Sequence, residues 1–263
     1  MPASHKLPAC QRLEQIRTTL HDQQSVSISK LAERFGVSEM TIRRDLDKLQ
    51  REGQVKRTHG GAMPAERMAF EFDFVARRKA NRKAKQAIAR EAAKLIKPGH
   101  RIILDTGTTT LELAHQLKDW EGLTIITPSL AVASVLQFSE GIQTILLGGV
   151  IRRGSPDLTG SLTEIVLDMF AVDIAFQGAD GISLDGSMYT EDMRISRVDQ
   201  KIRKRADKTY ILAASSKIDR TALVRHGSLQ QAQALITDDG LKAEYRKQLE
   251  KQGINIMVVS TKG

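Results

Sequence analysis

Apolar positions along this chain follow two periods, one helical and one strand-like. Near the start, Leu13, Ile16 and Leu20 recur at three- and four-residue spacing and predict a first helix, with Ile16 and Leu20 on one face. The run "SVSIS" (25–29) alternates as a short strand does. Ser29 then stands as the N-cap of a short helix, "KLAERF", whose Leu31, Ala32 and Phe35 face inward. Gly36 supplies the left-handed residue that ends it, and Val37 plugs the core. Ser38 caps a third helix that stops at Gly53, with Ile42, Leu46 and Leu49 on its dry face. The segment "QVKRTHGGAM" predicts a β-hairpin turning at Gly60-Gly61.

After residue 80 the helical period returns: Ala84, Ile88, Ala92, Leu95 and Ile96 line one side of a helix that Pro98-Gly99 terminates. Beyond it, strand-like runs alternate with helical ones. The strands are "RIILD", "LTIIT", "IQTILLGG", "VDIAFQGADGI", "KTYILAAS", "AQALITDD" and "INIMVVS". That alternation predicts an α/β fold, a mostly parallel sheet flanked by helices, behind a small N-terminal winged helix-turn-helix. The expected division is residues 8–63, a connection over 64–80, and an α/β domain over 81–263. In the connection Phe70, Phe72 and Phe74 alternate. They either pin it to a neighbouring surface or form a short buried strand.

Charge changes the picture. Residues 1–66 carry 11 Lys+Arg against 8 Asp+Glu, residues 67–97 carry 10 against 3, and the rest carry 19 against 20. The basic excess therefore lies entirely in the first third, which points to a polyanion partner there. A solvated basic helix would show the same charge, so the motif has to decide. On the third helix, Met40, Arg43, Arg44, Asp47, Lys48 and Arg51 lie opposite the dry face, an arrangement suited to a DNA major groove. Ser38, Met40 and Thr41 would point deepest, with Thr41 on a base methyl or a phosphate and Arg44 reading guanine. Arg43, Lys48 and Arg51 would hold phosphates, which position rather than specify. On the wing, Lys56, Arg57 and His59 would track the DNA backbone. Arg82, Lys83, Arg90 and Lys94 on the later helix read as a solvated face.

In the second part the polar residues gather at strand ends. Asp105, Gly107, Thr108, Thr109 and Thr110 follow the first strand, Thr127 and Ser129 the second, and Gly148 and Gly149 the third. Gly178, Ala179, Asp180 and Gly181 follow another, and Ser215, Ser216 and Lys217 the next. Ligands of such sheets bind beyond the carboxyl ends of the strands, and a Gly/Thr turn at a helix start offers free N–H groups to an anion. Arg152, Arg153, Arg194 and Lys217 would add positive charge. The loop is neither a nucleotide P-loop nor a dinucleotide fingerprint, since both signatures are missing.

"LAERFGVSEMTIRRDLDKLQREGQVKRTHGGA" resembles the DNA-binding domain of DeoR-type bacterial transcriptional regulators, most specifically in "TIRRDL" and "HGGA". The later "LDTGTTT", "LLGG", "GADGI" and "SSK" resemble the effector domain of that family, and Arg78, Asn81, Lys85 and Gly99 match the pattern that opens it. The resemblance runs from about Arg12 to Ser260. It implies a sensor similar in fold to ribose-5-phosphate isomerases and an effector that is a phosphorylated sugar or related catabolic intermediate; a repressor of operator DNA is then expected, as a dimer or tetramer, because palindromic half-sites match protein two-fold symmetry. Three positions depart from the family pattern: Pro128 where many members have Asn, Met193 where many have Glu, and Ala214 where many have an acidic residue. These leave open an unusual effector or a DNA binder without sensing.

The alternative is a sugar-phosphate isomerase-like enzyme, with Asp105, Asp180 and Lys217 as its only plausible acid–base set, but with a DNA-binding domain attached no enzyme is expected. No cofactor or metal is expected, because the 6 His residues lack ligand spacing and Cys10 is the single cysteine. That lone cysteine, with no apolar leader and no run long enough to span a bilayer, predicts a cytoplasmic protein.

Overall fold

The computed structural model describes residues 7–23, 25–52, 54–58, 60–64, 74, 76–152 and 154–262. Gly53, His59, Phe70, Phe72 and Arg153 lie outside them. The chain divides into two compact units, one formed chiefly by residues 1–76 and the other by residues 77–152 and 156–263.

In the first unit, helices α1 (Ala9–Gln23), α2 (Ile28–Phe35) and α3 (Glu39–Arg51) accompany three strands, β1 (Val26–Ser27), β2 (Val55–Thr58) and β3 (Gly61–Pro64). The strands pair antiparallel in the order β1-β3-β2. Leu13, Ile16, Leu20, Ile28, Leu31, Phe35, Ile42, Leu46 and Leu49 close one core, with Val37 packed at its edge. Gly36 takes φ 61° and ψ 36°, and the following Val37 N–H donates to the Ala32 carbonyl, so α2 ends as its sequence requires.

Two expectations need correction. Strand β1 stops at Ser27, where Val26 and Ser27 complete their pairing with Ala62 and Gly61, and α2 starts at Ile28. Ser27, not Ser29, therefore holds the N-cap position, and Ile28 enters the core. Gly61 is not a turn residue, since it already pairs with Thr58 across the hairpin. A Cβ there would sit 1.7 Å from the Val26 carbonyl oxygen, so only glycine lets β3 lie against β1.

The second unit centres on a seven-stranded sheet built from β4 (Arg101–Leu104), β5 (Leu123–Thr127), β6 (Ile142–Leu146), β9 (Val172–Gln177), β12 (Ala206–Leu212), β14 (Ala234–Asp238) and β15 (Ile256–Val259). Its order is β15-β14-β12-β9-β4-β5-β6, and every neighbouring pair is parallel. From β4 the chain winds outward through β5 to β6, then returns to the far side of β4 with β9. The β4/β9 boundary is thus the point where strand order reverses, the preferred crevice for ligands in open α/β sheets.

Helices α4 (Arg82–Ala93), α5 (Thr108–Leu117), α6 (Leu130–Leu136), α7 (Ser161–Leu167), α8 (Met193–Arg205) and α9 (Ala243–Lys251) join the strands. A hairpin, β7 (Val150–Ile151) with β8 (Leu158–Thr159), precedes α7. A small antiparallel sheet, β10 (Gly181–Ile182), β11 (Ser187–Thr190) and β13 (Val224–Ser228), adjoins the main one. Neither this sheet nor α8 was expected from the sequence. Ile195, Val198 and Ile202 of α8 are buried at helical spacing, but Ser196 and Asp199 are buried beside them and blur the amphipathic signal.

Candidate functional site

In the first unit α3 buries Ile42, Leu46 and Leu49 completely. Its opposite face leaves Met40 58% exposed, and Arg44, Asp47, Lys48 and Arg51 exposed with it. Ser38 accepts the Thr41 N–H at 3.2 Å and so caps the helix, and the two hydroxyls lie 2.9 Å apart. Arg43 is half-buried, 3.7 Å from Glu39 one turn earlier. The Arg51 Nε donates to the Asp47 carbonyl at 3.4 Å.

Of the wing residues, Lys56 is exposed. Arg57 is occupied within the unit: its guanidinium pairs with Asp47 and donates to the carbonyls of Gly61 at 3.3 Å and Arg43 at 3.4 Å. It clamps the wing to α3 instead of projecting from it. Sequence reasoning also missed the buried pair of Arg12 with Asp45, joined at 2.6 and 3.1 Å. An aspartate on the dry side of α3 was the available signal.

In the second unit, Asp105, Thr106 and Gly107 leave β4 at the strand-reversal point, and the Asp105 N–H donates to Phe176 at the end of β9. Gly107, at φ 116°, opens α5 with Thr108 and Thr109 half-buried at its first turn. Those residues form an open cradle of N–H groups and hydroxyls. Several other expected rim residues are not part of it. Thr110 is 1% exposed and its hydroxyl donates back to the Gly107 carbonyl at 3.0 Å. Thr127 is fully buried and accepts the Ser129 N–H at 3.0 Å, while Ser129 caps α6 by accepting from Val132 at 3.4 Å. The Gly148 carbonyl accepts the Thr163 hydroxyl at 2.7 Å, and a Cβ on Gly149 would meet that hydroxyl at 2.1 Å. These residues shape loops. Arg152 is bonded to the buried Asp157 at 2.7 Å, and Arg194 folds onto Asp192 at 2.7 and 3.1 Å with its side chain 57% exposed.

A second group forms where the start of α4 meets the loops after β9 and β12. Arg77 lies 3.9 Å from Asp180, which also accepts from Thr190 at 3.0 Å and from the Glu191 N–H at 3.2 Å. Asn81 donates to Ser216 at 2.8 Å. Lys85, 7% exposed, donates to the Arg77 carbonyl and feels the positive charge of Lys217 and the negative charge of Glu112. Burial pulls its ammonium down to about 8, against the opposing pull of Glu112. The sequence marked Lys85 only as a pattern match. A lysine on the apolar side of a helix was the clue to a buried cation.

Beneath the cradle lies a buried polar cluster. Burial pushes the Asp105 carboxyl up to about 7, although the Thr106 N–H favours its ionised form, and Asp157 adds to the rise. Asp199 of α8 is raised well above the usual carboxylate range, first by burial and then by the charge of Asp105. His226 stands 3.3 Å from Asp199, and burial lowers it to about 4. Arg203 donates to Gln177 at 3.1 Å and to the His226 carbonyl. Asp105 Oδ1, Asp199 Oδ1 and His226 Nε2 have no hydrogen-bond partner.

A carboxyl raised from 3.8 to about 7 holds its proton in the fold while the unfolded chain loses it. Its contribution to stability is therefore complete below pH ~4 and falls away as pH rises to about 7. His226, lowered from 6.5 to about 4, acts in the opposite sense over pH 4–6.5, so the difference between variants is the clean observable. Relative to Asp105→Asn, wild type is expected to lose melting temperature steadily between about pH 4 and 7. Parallel curves for the two proteins would show that Asp105 is ionised throughout.

Comparisons with known proteins bear on both units. Residues 12–67 match the family model described as the DeoR-like helix-turn-helix domain, and residues 80–239 match the DeoR C terminal sensor domain. The uncharacterized HTH-type transcriptional regulator YulB of Bacillus subtilis is 35% identical over 95% of this chain and 96% of its own. The glycerol-3-phosphate regulon repressor of Escherichia coli K12 is 33% identical over 87% of this chain and 90% of its own. Among solved structures, ribose 5-phosphate isomerase A of Methanocaldococcus jannaschii aligns with 53% of this chain and 55% of its own at TM-score 0.39 and 23% identity, too weak a likeness to carry an argument about a site. The two family models and the relatives that span both units agree: this chain belongs to the DeoR family of transcriptional regulators.

Proposed function

We propose that this protein is a ligand-responsive repressor of carbohydrate-related genes. It binds operator DNA as a homo-oligomer and is released by a phosphorylated sugar or a sugar-derived anion. Residues 8–63 read the DNA, 64–80 connect, and 81–263 sense. The observation that carries the reading is α3: a completely buried apolar stripe faces exposed Met40, Arg44 and Lys48. Such a helix presents its N-terminal half to base edges, while Lys48, Arg51 and Lys56 neutralise phosphates. The repressor role and the effector class are supported by the relative named for the glycerol-3-phosphate regulon. The cradle of Gly107, Thr108 and Thr109 suits a phosphate group, and Lys85, beside Glu112 of the cradle's own helix α5, and Lys217 are the cations proposed to serve it. Release follows if the ligand prefers the state with low DNA affinity.

Fluorescence anisotropy against the DNA upstream of its own coding region tests the first claim. Wild type is expected to bind that DNA selectively, with affinity falling as salt rises. Arg44→Ala is expected to weaken binding about 10–100-fold and to relax the choice of one base pair, the ~1–3 kcal/mol of a lost bidentate base contact. Binding without sequence preference would overturn the repressor reading. A uniform loss across all sequences would move Arg44 from base to phosphate.

A further inference from the structure

The main sheet ends at β6, which pairs with β5 alone. A free edge exposes unpaired N–H and C=O groups, and proteins that stay monomeric blunt such edges with lysine, proline or a bulge. The β6 strand, Ile-Gln-Thr-Ile-Leu, has no charge, no proline and no glycine. Beside it, between β6 and α6, runs a groove of about 510 Å³ lined by Leu130, Leu136, Ile142, Thr144 and Leu146. The Thr144 hydroxyl is buried there without a hydrogen-bond partner. Just past α6, Phe138 is 86% exposed, and Leu146 is 42% exposed at the other end of the strand. At the opposite edge of the sheet, on β15, Val258 at 37% is the exposed large apolar residue.

We propose that β6 is a homodimer seam, in which two copies of this chain pair antiparallel about a two-fold axis through Thr144. The strand is self-complementary in that register. Ile142 faces Leu146 of the other copy, Gln143 faces Ile145, and no like charges meet. The two Thr144 residues face each other across the axis, which supplies each orphan hydroxyl with a partner. The antiparallel arrangement also carries Phe138 of each copy to the Leu146 end of the other's groove. Knob, groove and edge all lie on one patch, as an isologous contact requires; a foreign strand would bring no matching groove to receive Phe138. Pairing joins the two seven-stranded sheets into one and covers the β6 edge of each copy. The seam rests on the homo-oligomer reading above only for the existence of a second copy.

The test uses the full chain with Cys10→Ser. Directly paired residues of antiparallel strands have Cα atoms about 4.5–5.5 Å apart, within disulfide range. Thr144→Cys is therefore expected to form a disulfide-linked dimer under mild oxidation. Gln143→Cys, out of register with its own copy, is expected to remain unlinked. In sedimentation velocity, Leu146→Lys is expected to shift the equilibrium about tenfold or more toward monomer, because the ammonium is desolvated without a partner. A wild-type monomer at micromolar concentration would sink both the seam and the homo-oligomer reading. A wild-type dimer in which Thr144→Cys does not link, or Gln143→Cys links equally, would sink the seam alone. So would a dimer that Ile165→Glu, on the exposed face of α7, dissociates while Leu146→Lys does not. If Leu146→Lys fails to fold, the cysteine pair decides.

Discussion

Asp45→Ala is expected to cost the DNA-binding unit about 3 kcal/mol, near the lower end of what breaking a buried ion pair costs. Arg12 and Asp45 are 7% and 8% exposed, and they meet through two bonds of 2.6 and 3.1 Å that tie α1 to α3. The Arg12 guanidinium also donates to the Leu7 carbonyl at 3.0 Å. Removing the carboxylate leaves a cation at the rim of the core with one acceptor in place of three. In a unit this small, ~3 kcal/mol lowers the melting temperature by roughly 12–24 °C. DNA affinity should fall with it, because α3 is docked by the same contact. Asp45→Asn keeps one acceptor and should lose less. Calorimetry of the two variants checks this. A change within about 0.5 kcal/mol, as ordinary surface substitutions give, would mean that the pair is effectively solvated.

Thr109→Asp is expected to weaken effector binding about 100-fold or more while leaving DNA binding intact. The new carboxylate would stand at the first turn of α5, beside the N–H groups of the Gly107–Thr109 cradle, where like charges meeting cost several kcal/mol. Thermal shift across a panel of sugar phosphates first identifies a stabilising ligand, and the variant is then titrated with it. Lys85→Met tests the cation. It leaves the buried Glu112 without that counter-charge, so the melting temperature of the free protein should fall, and a phosphorylated ligand should stabilise the variant less than wild type. A ligand indifferent to both substitutions binds elsewhere on the sensor, and no stabilising ligand at all would favour a DNA binder without sensing.

All seven parallel strands were legible as apolar runs bounded by glycine and polar residues, and α3 was legible as a stripe of Ile42, Leu46 and Leu49 facing arginines. The candidate sites were only partly legible. Thr108, Thr109 and Thr110 are identical in composition, yet two face the cradle and the third turns back to cap its own helix. Arg57 read as a phosphate contact, but its guanidinium was close enough to Asp47 to be taken. Lys85 is one of many lysines in a basic stretch, and its place on the apolar side of the helix became telling only with its burial.

By itself the sequence determined the seven parallel strands, the helix-turn-helix, their order and the family, because side-chain periodicity and turn chemistry are local properties that a one-dimensional pattern carries. The tertiary structure decided what depends on distant neighbours. It set the strand order that puts Asp105 beside the end of β9, gathered Asp105 after β4, Asp199 and Arg203 of α8 and His226 of β13 into one cluster, reserved Gly61 for the approach of Val26, and left β6 as a free edge. Burial and hydrogen bonding are relations between segments far apart in the chain, and no local period records them.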